Sequence, residues 1–250
     1  MFTVPSVCQQ LIEAKEQPPQ TQHNLVYFFI GGDQYSTGLC KRFHQAFGLH
    51  LTVGMGMTET LYQCSMIPSA DKKIGSVGTA MPEVKLKIIN EEGDTLPANS
   101  VGQLCIQTSC MMLGYWQNNI ATQEALKDNW LHSGDLGYLD QDGYFWFVDR
   151  MKNIILVDHY GQNVSPSEVE SVLRRHPAVS DAAVVGKQVD NNGVVYAFVQ
   201  LQPDSQVDEK SLIEFTKQQL ADDKVPKQII FLDEFPKNSR GKMDRLALKK

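Results

Sequence analysis

The sequence predicts a mixed fold: an α/β opening, a β-rich middle shaped as a twisted sheet or small barrel, and a closing α+β unit of roughly 100 residues, enough for a domain of its own. Three changes of hydrophobic period predict it. Helical stretches and a buried strand alternate at the start, apolar residues recur at every second position from Val84, and after Asp149 strands and helices alternate again.

Taken in order, "VPSVCQQLIEAKEQ" places Val7, Leu11 and Ile12 at helical spacing. The two prolines of "QPPQTQHN" end that helix, because proline lacks the amide a helix needs. "LVYFFI" reads as a buried strand running into Gly31 and Gly32. "TGLCKRFHQAFG" is a second helix, with Leu39, Phe43 and Phe47 on one face and Gly48 as its stop. In "VKLKII", Val84, Leu86 and Ile88 face one way and Lys85 and Lys87 the other. "NEEGDTLP" turns and "GQLCIQT" returns as a strand. Asp142-Gly143 within "LDQDGYFWFV" marks a hairpin. "IILV" is a strand. "SPSEVESVLRRHP" is a helix with Ser165 as N-cap, Pro166 at the first helical position, Glu168 completing a capping box and His176-Pro177 as the stop. "AAVVG", "VVYAFVQL" and "KQIIFL" are strands, and "DEKSLIEFTKQQL" is a helix. The boundary falls near Arg150–Lys152, giving domains 1–150 and 151–250.

The 250 residues carry a net charge of −6. That lacks the basic stripe of a nucleic-acid binder, while a locally positive cleft can still hold a small anion. Five cysteines (Cys8, Cys40, Cys64, Cys105 and Cys110) are odd in number and show no metal-ligand spacing. They read as thiols of a reducing compartment. The first residues lack the pattern of a signal peptide, and no apolar run approaches a membrane span. The expectation is a cytoplasmic chain with no transmembrane segment. Oligomeric state stays open.

Four stretches can carry chemistry. In "GMGMTET", Gly54 and Gly56 allow unusual backbone geometry. Thr58 can donate to a phosphate oxygen and Glu59 is a hard ligand suited to Mg²⁺. A plain turn before a helix, capped by Thr58, explains the same letters. In "WLHSGDLGYLD", Asp135 lies between Gly134 and Gly137, as at a tight accessible turn where a carboxylate could take both hydroxyls of a ribose. In "VDRMKN", the forked guanidinium of Arg150 suits phosphate or sugar oxygens. In "PKNSRGKMDR", Lys242 beside Gly241 is a compact charge with little bulk around it. Each of the last three also has a plain surface reading.

The order of the motifs goes further. "GMTET", "GSVGTAMP", "GYW…ATQEAL…WLHSGDLGYLDQDGYFWFVDR", "NVSPSEVE" and "PKNSRGKMDR" together resemble the acyl-adenylate-forming ligases, over essentially the whole chain. That superfamily holds acyl-CoA synthetases, peptide-synthetase adenylation domains and beetle luciferases. The resemblance implies an enzyme in which a carboxylate attacks the α-phosphorus of ATP, giving acyl-AMP and pyrophosphate, after which a thiol displaces AMP. It implies Glu59 as Mg²⁺ ligand, Thr58 as phosphate contact, and Asp135 and Arg150 on the ribose. Gly31, Gly32 and Asp33 would border adenine, with Met55, Gly56 and Met57 beside it, Met55 standing where an aromatic is usual. It implies Lys242 as the lysine that bridges the substrate carboxylate and the α-phosphate, carried on a small domain that rotates about Lys152.

The chain departs from that pattern at Ser133 (commonly Thr), at Gln34 (usually Pro) and in the loop "VDHYGQN", which is one residue longer and places His159 and Tyr160 where glycines are common. The family's phosphate loop, of the "SSGTTGxPKG" kind, lies upstream of the matched region, and the sequence holds no substitute for it. The implied partners are ATP, Mg²⁺, a fatty or other organic acid, and CoA. The implied protein is the C-terminal part of an acyl-CoA synthetase, expected to be inactive in isolation. An adenylation domain loading the phosphopantetheine of a carrier protein, and a non-catalytic binding module, remain as alternatives.

Overall fold

The computed structural model describes residues 2–15, 26–32, 35, 37–61, 63–67, 73–157, 163–189, 192–238 and 243–249. The chain divides into two compact units, Met1–Phe147 and Val148–Lys250.

The first unit opens with β1 (Phe2–Thr3), α1 (Pro5–Lys15), β2 (Phe28–Ile30), α2 (Thr37–Phe47), β3 (Leu51–Gly56), β4 (Gln63–Met66) and β5 (Thr79–Ala80). These strands form one sheet in sequence order, β1-β2-β3-β4-β5. The first three pair in parallel and the last two antiparallel. Phe28 and Ile30 of β2 meet Cys8 and Ile12 of α1, Leu39 and Phe43 of α2, and Leu51 and Val53 of β3 in one apolar cluster. Of the faces read from the sequence, Ile12, Leu39 and Phe43 are buried, Val7, Leu11 and Phe47 are half-buried, and Cys8 and Cys40 join the buried side.

β6 (Lys85–Ile89), β7 (Gly102–Gln107), α3 (Asn119–Ala125), β8 (Leu126–Lys127), β9 (Trp130–Leu139) and β10 (Phe145–Arg150) follow. They build an antiparallel, half-barrel-like sheet of order β10-β9-β7-β6, with β8 against β9. Its inner face closes on Cys64, Val84, Ile88, Leu104, Ile106, Leu131 and Phe145. The alternation read in "VKLKII" fails at its end, where Ile88 and Ile89 are both buried. The Asp142-Gly143 hairpin links β9 to β10. Its Asp140 carboxylate accepts from the Asp142 and Tyr144 amides and from Trp146 Nε1, each at 3.0 Å, and pairs with Lys73 at 2.9 Å.

The second unit contains β11 (Ile155–Leu156), β12 (Asn163–Val164), α4 (Pro166–Leu173), β13 (Val179–Val189), β14 (Asn192–Leu201), α5 (Glu209–Lys217), β15 (Gln228–Phe231) and α6 (Arg245–Lys249). β13 and β14 form a long antiparallel hairpin and β15 adds to β14 in parallel. One face packs on Val169 and Leu173 of α4 and Leu212 of α5. The other packs on Phe235 and on Leu248 of α6.

The capping box read at α4 is not what forms. Ser165 occupies the N-cap position without a side-chain cap bond, and Glu168 pairs with Lys224 at 2.8 Å. The cap comes from Asp149, whose Oδ2 accepts from the Ser167 amide at 2.9 Å across 18 residues of sequence. A carboxylate is a stronger acceptor than a hydroxyl for the exposed first amides of a helix.

Candidate active site

The end of β3 carries "GMGMTET". Gly54, Met55 and Gly56 lie inside the strand, and Thr58–Thr60 form a single 3-10 turn with Met57 as its N-cap. Thr58 is exposed and Glu59 half-buried. Met55 and Met57 are half-buried against the half-barrel's apolar cluster. Gly31 follows β2, the neighbour of β3. A Cβ there would sit 3.0 Å from the Gly54 carbonyl, so the bare backbone lets the two strands' ends approach. Gly32 is exposed with φ +81°, a conformation glycine adopts without strain.

Glu59 is held from two directions. Its carbonyl accepts from the Met112 amide at 2.7 Å, and its Oε1 accepts from the Tyr115 hydroxyl at 2.8 Å. Among the described residues no lysine or arginine forms an ion pair with it. Nor do the described residues contain a cluster of three or more His, Cys, Asp or Glu suited to a metal. One hard carboxylate without a protein cage fits Mg²⁺, which commonly takes one or two carboxylates and completes its shell with phosphate oxygens and water.

Asp135 departs from the sequence expectation. It does not sit at an accessible turn. It lies within the ten-residue strand β9 and is 1% exposed. Opposite it the register slips: Gln103 pairs with Leu136 and Cys105 with His132, so Leu104 alone faces residues 133–135. Gly134, at φ +71°, supplies the left-handed step of this bulge. Ser133 Oγ donates to the Leu104 carbonyl at 2.7 Å and accepts from the Asp135 amide at 3.1 Å. "SGD" is thus a bulge stitched by a hydroxyl, a role that Ser133 fills as Thr would. Asp135 is close enough to Cys64 to act on it. Burial pushes the Cys64 thiol up to about 11 and the Asp135 charge adds to the rise. Cys64 Sγ in turn donates to the Met55 carbonyl at 3.2 Å. The first unit thereby brings β3, β4 and β9 together around Met55, Cys64 and Asp135. The carboxylate as placed is covered, and does not by itself offer an open ribose contact.

Arg150 and Lys152 belong to the second unit. Both are exposed, Arg150 closing β10 and Lys152 within the 3-10 turn Met151–Asn153. Their neighbour Asp149 is 3% exposed. Besides capping α4, it accepts from the Arg150 amide at 2.7 Å, Asn153 Nδ2 at 3.2 Å and Ser165 Oγ at 2.9 Å. The motif "VDR" points to Arg150 and not to the buried Asp149 beside it. The only local signal was an acidic residue beside the boundary.

Asp33, Gln34, residues 158–162 of "VDHYGQN" and Lys242 lie outside the described residues. The positions following Lys242 are well held. Met243 bridges Lys237, and the Asp244 amide donates to the Pro236 carbonyl at 2.7 Å. Arg245 donates to the Glu170 carboxylate and, at 2.8 Å, to the Val184 carbonyl. Glu170 is completely buried. It also accepts from the Val184 amide at 2.8 Å and pairs with Arg174 at 3.3 Å. Burial alone would lower the Arg245 guanidinium's pKa, but its bond to Glu170 and the nearby carboxylates raise it.

A sheet that changes from parallel to antiparallel pairing across a Thr-Glu turn and a half-barrel with a bulged Asp strand make up the first unit, and a small α+β unit follows. The comparisons give the chain's family. The model for AMP-binding enzymes matches residues 1–116 and that for the AMP-binding enzyme C-terminal domain matches residues 168–242. The chain belongs to the AMP-binding enzyme family. It is 36% identical over 220 residues to a long-chain-fatty-acid–CoA ligase of Escherichia coli, covering 88% of this chain and 39% of that protein. It is 37% identical over 225 residues to a fatty acid–[acyl-carrier-protein] ligase of Streptomyces coeruleorubidus, covering 88% and 43% respectively. The solved o-succinylbenzoate CoA synthetase of Bacillus subtilis, in complex with ATP and magnesium ion, superimposes with a TM-score of 0.85 at 29% identity, over 100% of this chain and 51% of that one. The chain therefore spans about two fifths of the length of these curated relatives. No helix among the described residues is long and apolar enough to cross a membrane.

Proposed function

We propose that this chain is part of an AMP-forming acid–thiol ligase that activates a carboxylic acid, fatty or otherwise organic, and passes the acyl group to the thiol of CoA. The supporting observation is the placement of Glu59. It is a half-buried carboxylate at the end of β3, one residue after the exposed Thr58 and held by Tyr115. When bound there, Mg²⁺ supplies positive charge to the phosphates as a carboxylate oxygen displaces pyrophosphate from the α-phosphorus. Thr58 donates to a phosphate oxygen and Glu59 holds the cation. Lys242 stabilises the charge that builds between the two anions, where a fixed donor acts most strongly. Asp135 and Arg150 serve the ribose, Asp135 only if its cover opens, and Gly31, Gly32, Asp33, Met55, Gly56 and Met57 border the base. The thiol then attacks the acyl carbonyl, AMP leaves, and Lys152 serves as the hinge between the two steps. The odd, unspaced cysteines suit the reducing cytoplasm.

Acid-dependent ATP–pyrophosphate exchange by the natural protein tests this. Lys242→Ala should lower exchange about 10²–10³-fold, the usual cost of removing a donor to developing charge, with ATP affinity nearly unchanged. Exchange untouched by both Lys242→Ala and Glu59→Gln would sink the reading. The 250-residue chain alone should show no exchange. The name of the Streptomyces relative favours a second acceptor, a carrier protein. Trapping of the thioester on CoA or on a carrier decides between them.

A further inference from the structure

We infer that Tyr115 is a positioning residue for the cation ligand Glu59, an inference that rests on the reading of Glu59 given above. A carboxylate only accepts hydrogen bonds, through two oxygens. The Tyr115 hydroxyl donates to Oε1 at 2.8 Å, across 56 residues of sequence. That bond fixes the carboxylate's rotation and leaves Oε2 to accept a second partner. Groups that orient a metal ligand in this way commonly change metal affinity 10–100-fold when lost.

The segment around Tyr115 is built to aim that hydroxyl. Gly114 adopts φ +156°. A Cβ on it would meet Thr122 Cγ2 at 2.8 Å, so a side chain there forces Thr122 aside. Thr122 Oγ1 accepts from the Tyr115 amide at 2.9 Å and donates to the Asn118 carbonyl at 2.9 Å. The Asn118 amide donates to the Tyr115 carbonyl at 3.2 Å. Asn118 Oδ1 caps α3 by accepting from the Ala121 amide at 3.0 Å. Both polar groups of the Tyr115 backbone are thereby tied to the start of α3. The Met112 amide ties the same segment to the Glu59 carbonyl at 2.7 Å. Flanking Leu113 and Trp116 stay exposed, at 101% and 90%. Met111 and Met112 anchor the segment on the half-barrel's apolar cluster, Leu113 and Trp116 add no such packing, and the hydrogen bonds around Tyr115 set its direction.

The test uses the natural protein with Mn²⁺ as the probe, titrated by electron paramagnetic resonance in the presence of a non-hydrolysable ATP analogue. Tyr115→Phe should weaken Mn²⁺ binding about tenfold. The analogue's affinity in EDTA and the thermal unfolding midpoint should stay at their original values, which a merely structural role would not allow. Thr122→Val, which removes the acceptor of the Tyr115 amide, should shift Mn²⁺ binding the same way by less, and it carries the test if Tyr115→Phe misfolds. Glu59→Gln separates the two ideas. If it weakens Mn²⁺ binding while Tyr115→Phe does not, the positioning role is overturned and the function stands. If Glu59→Gln leaves Mn²⁺ binding unchanged, the Glu59 assignment falls and this inference falls with it.

Discussion

Replacing Arg245 by Met tests how the end of the chain is held, three residues after Lys242. The substitution leaves Glu170 fully buried, with the Val184 amide at 2.8 Å and Arg174 at 3.3 Å as its remaining partners. Removing one member of a buried ion pair costs about 3–5 kcal/mol, because the other charge stays desolvated. Arg174 puts this case at the low end, about 3 kcal/mol. Glu170→Met has a softer consequence. Arg245 and Arg174 are 28% and 34% exposed, and Arg174 keeps Asp181 at 2.6 Å and the Ala182 carbonyl at 2.7 Å. The double variant Glu170→Met/Arg245→Met buries no uncompensated charge, so its cost should be no greater than that of the larger single, a coupling at least as large as the cost of the smaller single. All three tryptophans (Trp116, Trp130 and Trp146) lie in the first unit, so fluorescence does not report on this pair. Hydrogen exchange of peptides from β13 and β14 does. A loss of about 3 kcal/mol accelerates their exchange about a hundredfold. Exchange within threefold of the original for Arg245→Met, or single effects that simply add in the double variant, would refute the reasoning.

Asp149→Asn should fray the start of α4, since both carboxylate oxygens accept, Oδ1 from Arg150 and Asn153 and Oδ2 from Ser165 and Ser167, and a carboxamide keeps only one acceptor oxygen. The expected cost is about 2 kcal/mol, that of a cap plus a charge-assisted bond, read as faster exchange at residues 167–170. Burial raises the thiols of Cys8, Cys40, Cys64 and Cys105 to about 11, so at pH 8 they remain protonated and covered. Ellman's reagent should find one fast thiol, the half-buried Cys110, in the folded chain and all five after denaturation; more than one fast thiol contradicts the packing. For Asp140, burial pulls the carboxyl up, but the bonds from Lys73, Trp146, Tyr144 and Asp142 outweigh it and bring it down to about 2. A folded value below the unfolded one stabilises the fold above about pH 4 and loses that contribution as pH falls toward 2. The acid limb of the tryptophan fluorescence should flatten in Asp140→Asn, and an unchanged limb would deny the carboxylate this role.

Much of this molecule is local and therefore legible in its letters. The spacing of Leu39 and Phe43, the prolines after α1, the Asp142-Gly143 turn and the strand runs of the second unit each depend on neighbours a few positions away. The five stretches that run in order from "GMTET" to "PKNSRGKMDR" are local too, and together they carry the family resemblance. Contacts between residues far apart in sequence decided the rest. Tyr115 reaches Glu59 across 56 positions, Arg245 reaches Glu170 across 75, and Asp149 caps α4 in place of Ser165 by reaching the Ser167 amide across 18. No periodicity or cap rule encodes such pairs, because their geometry exists only once separate strands and helices have packed. Asp135 shows the same limit: its flanking glycines suggested a turn, yet pairing with β7 drew it into a buried bulge. Hydrophobic pattern chooses the elements. Which polar groups then meet follows from how those elements close on one another.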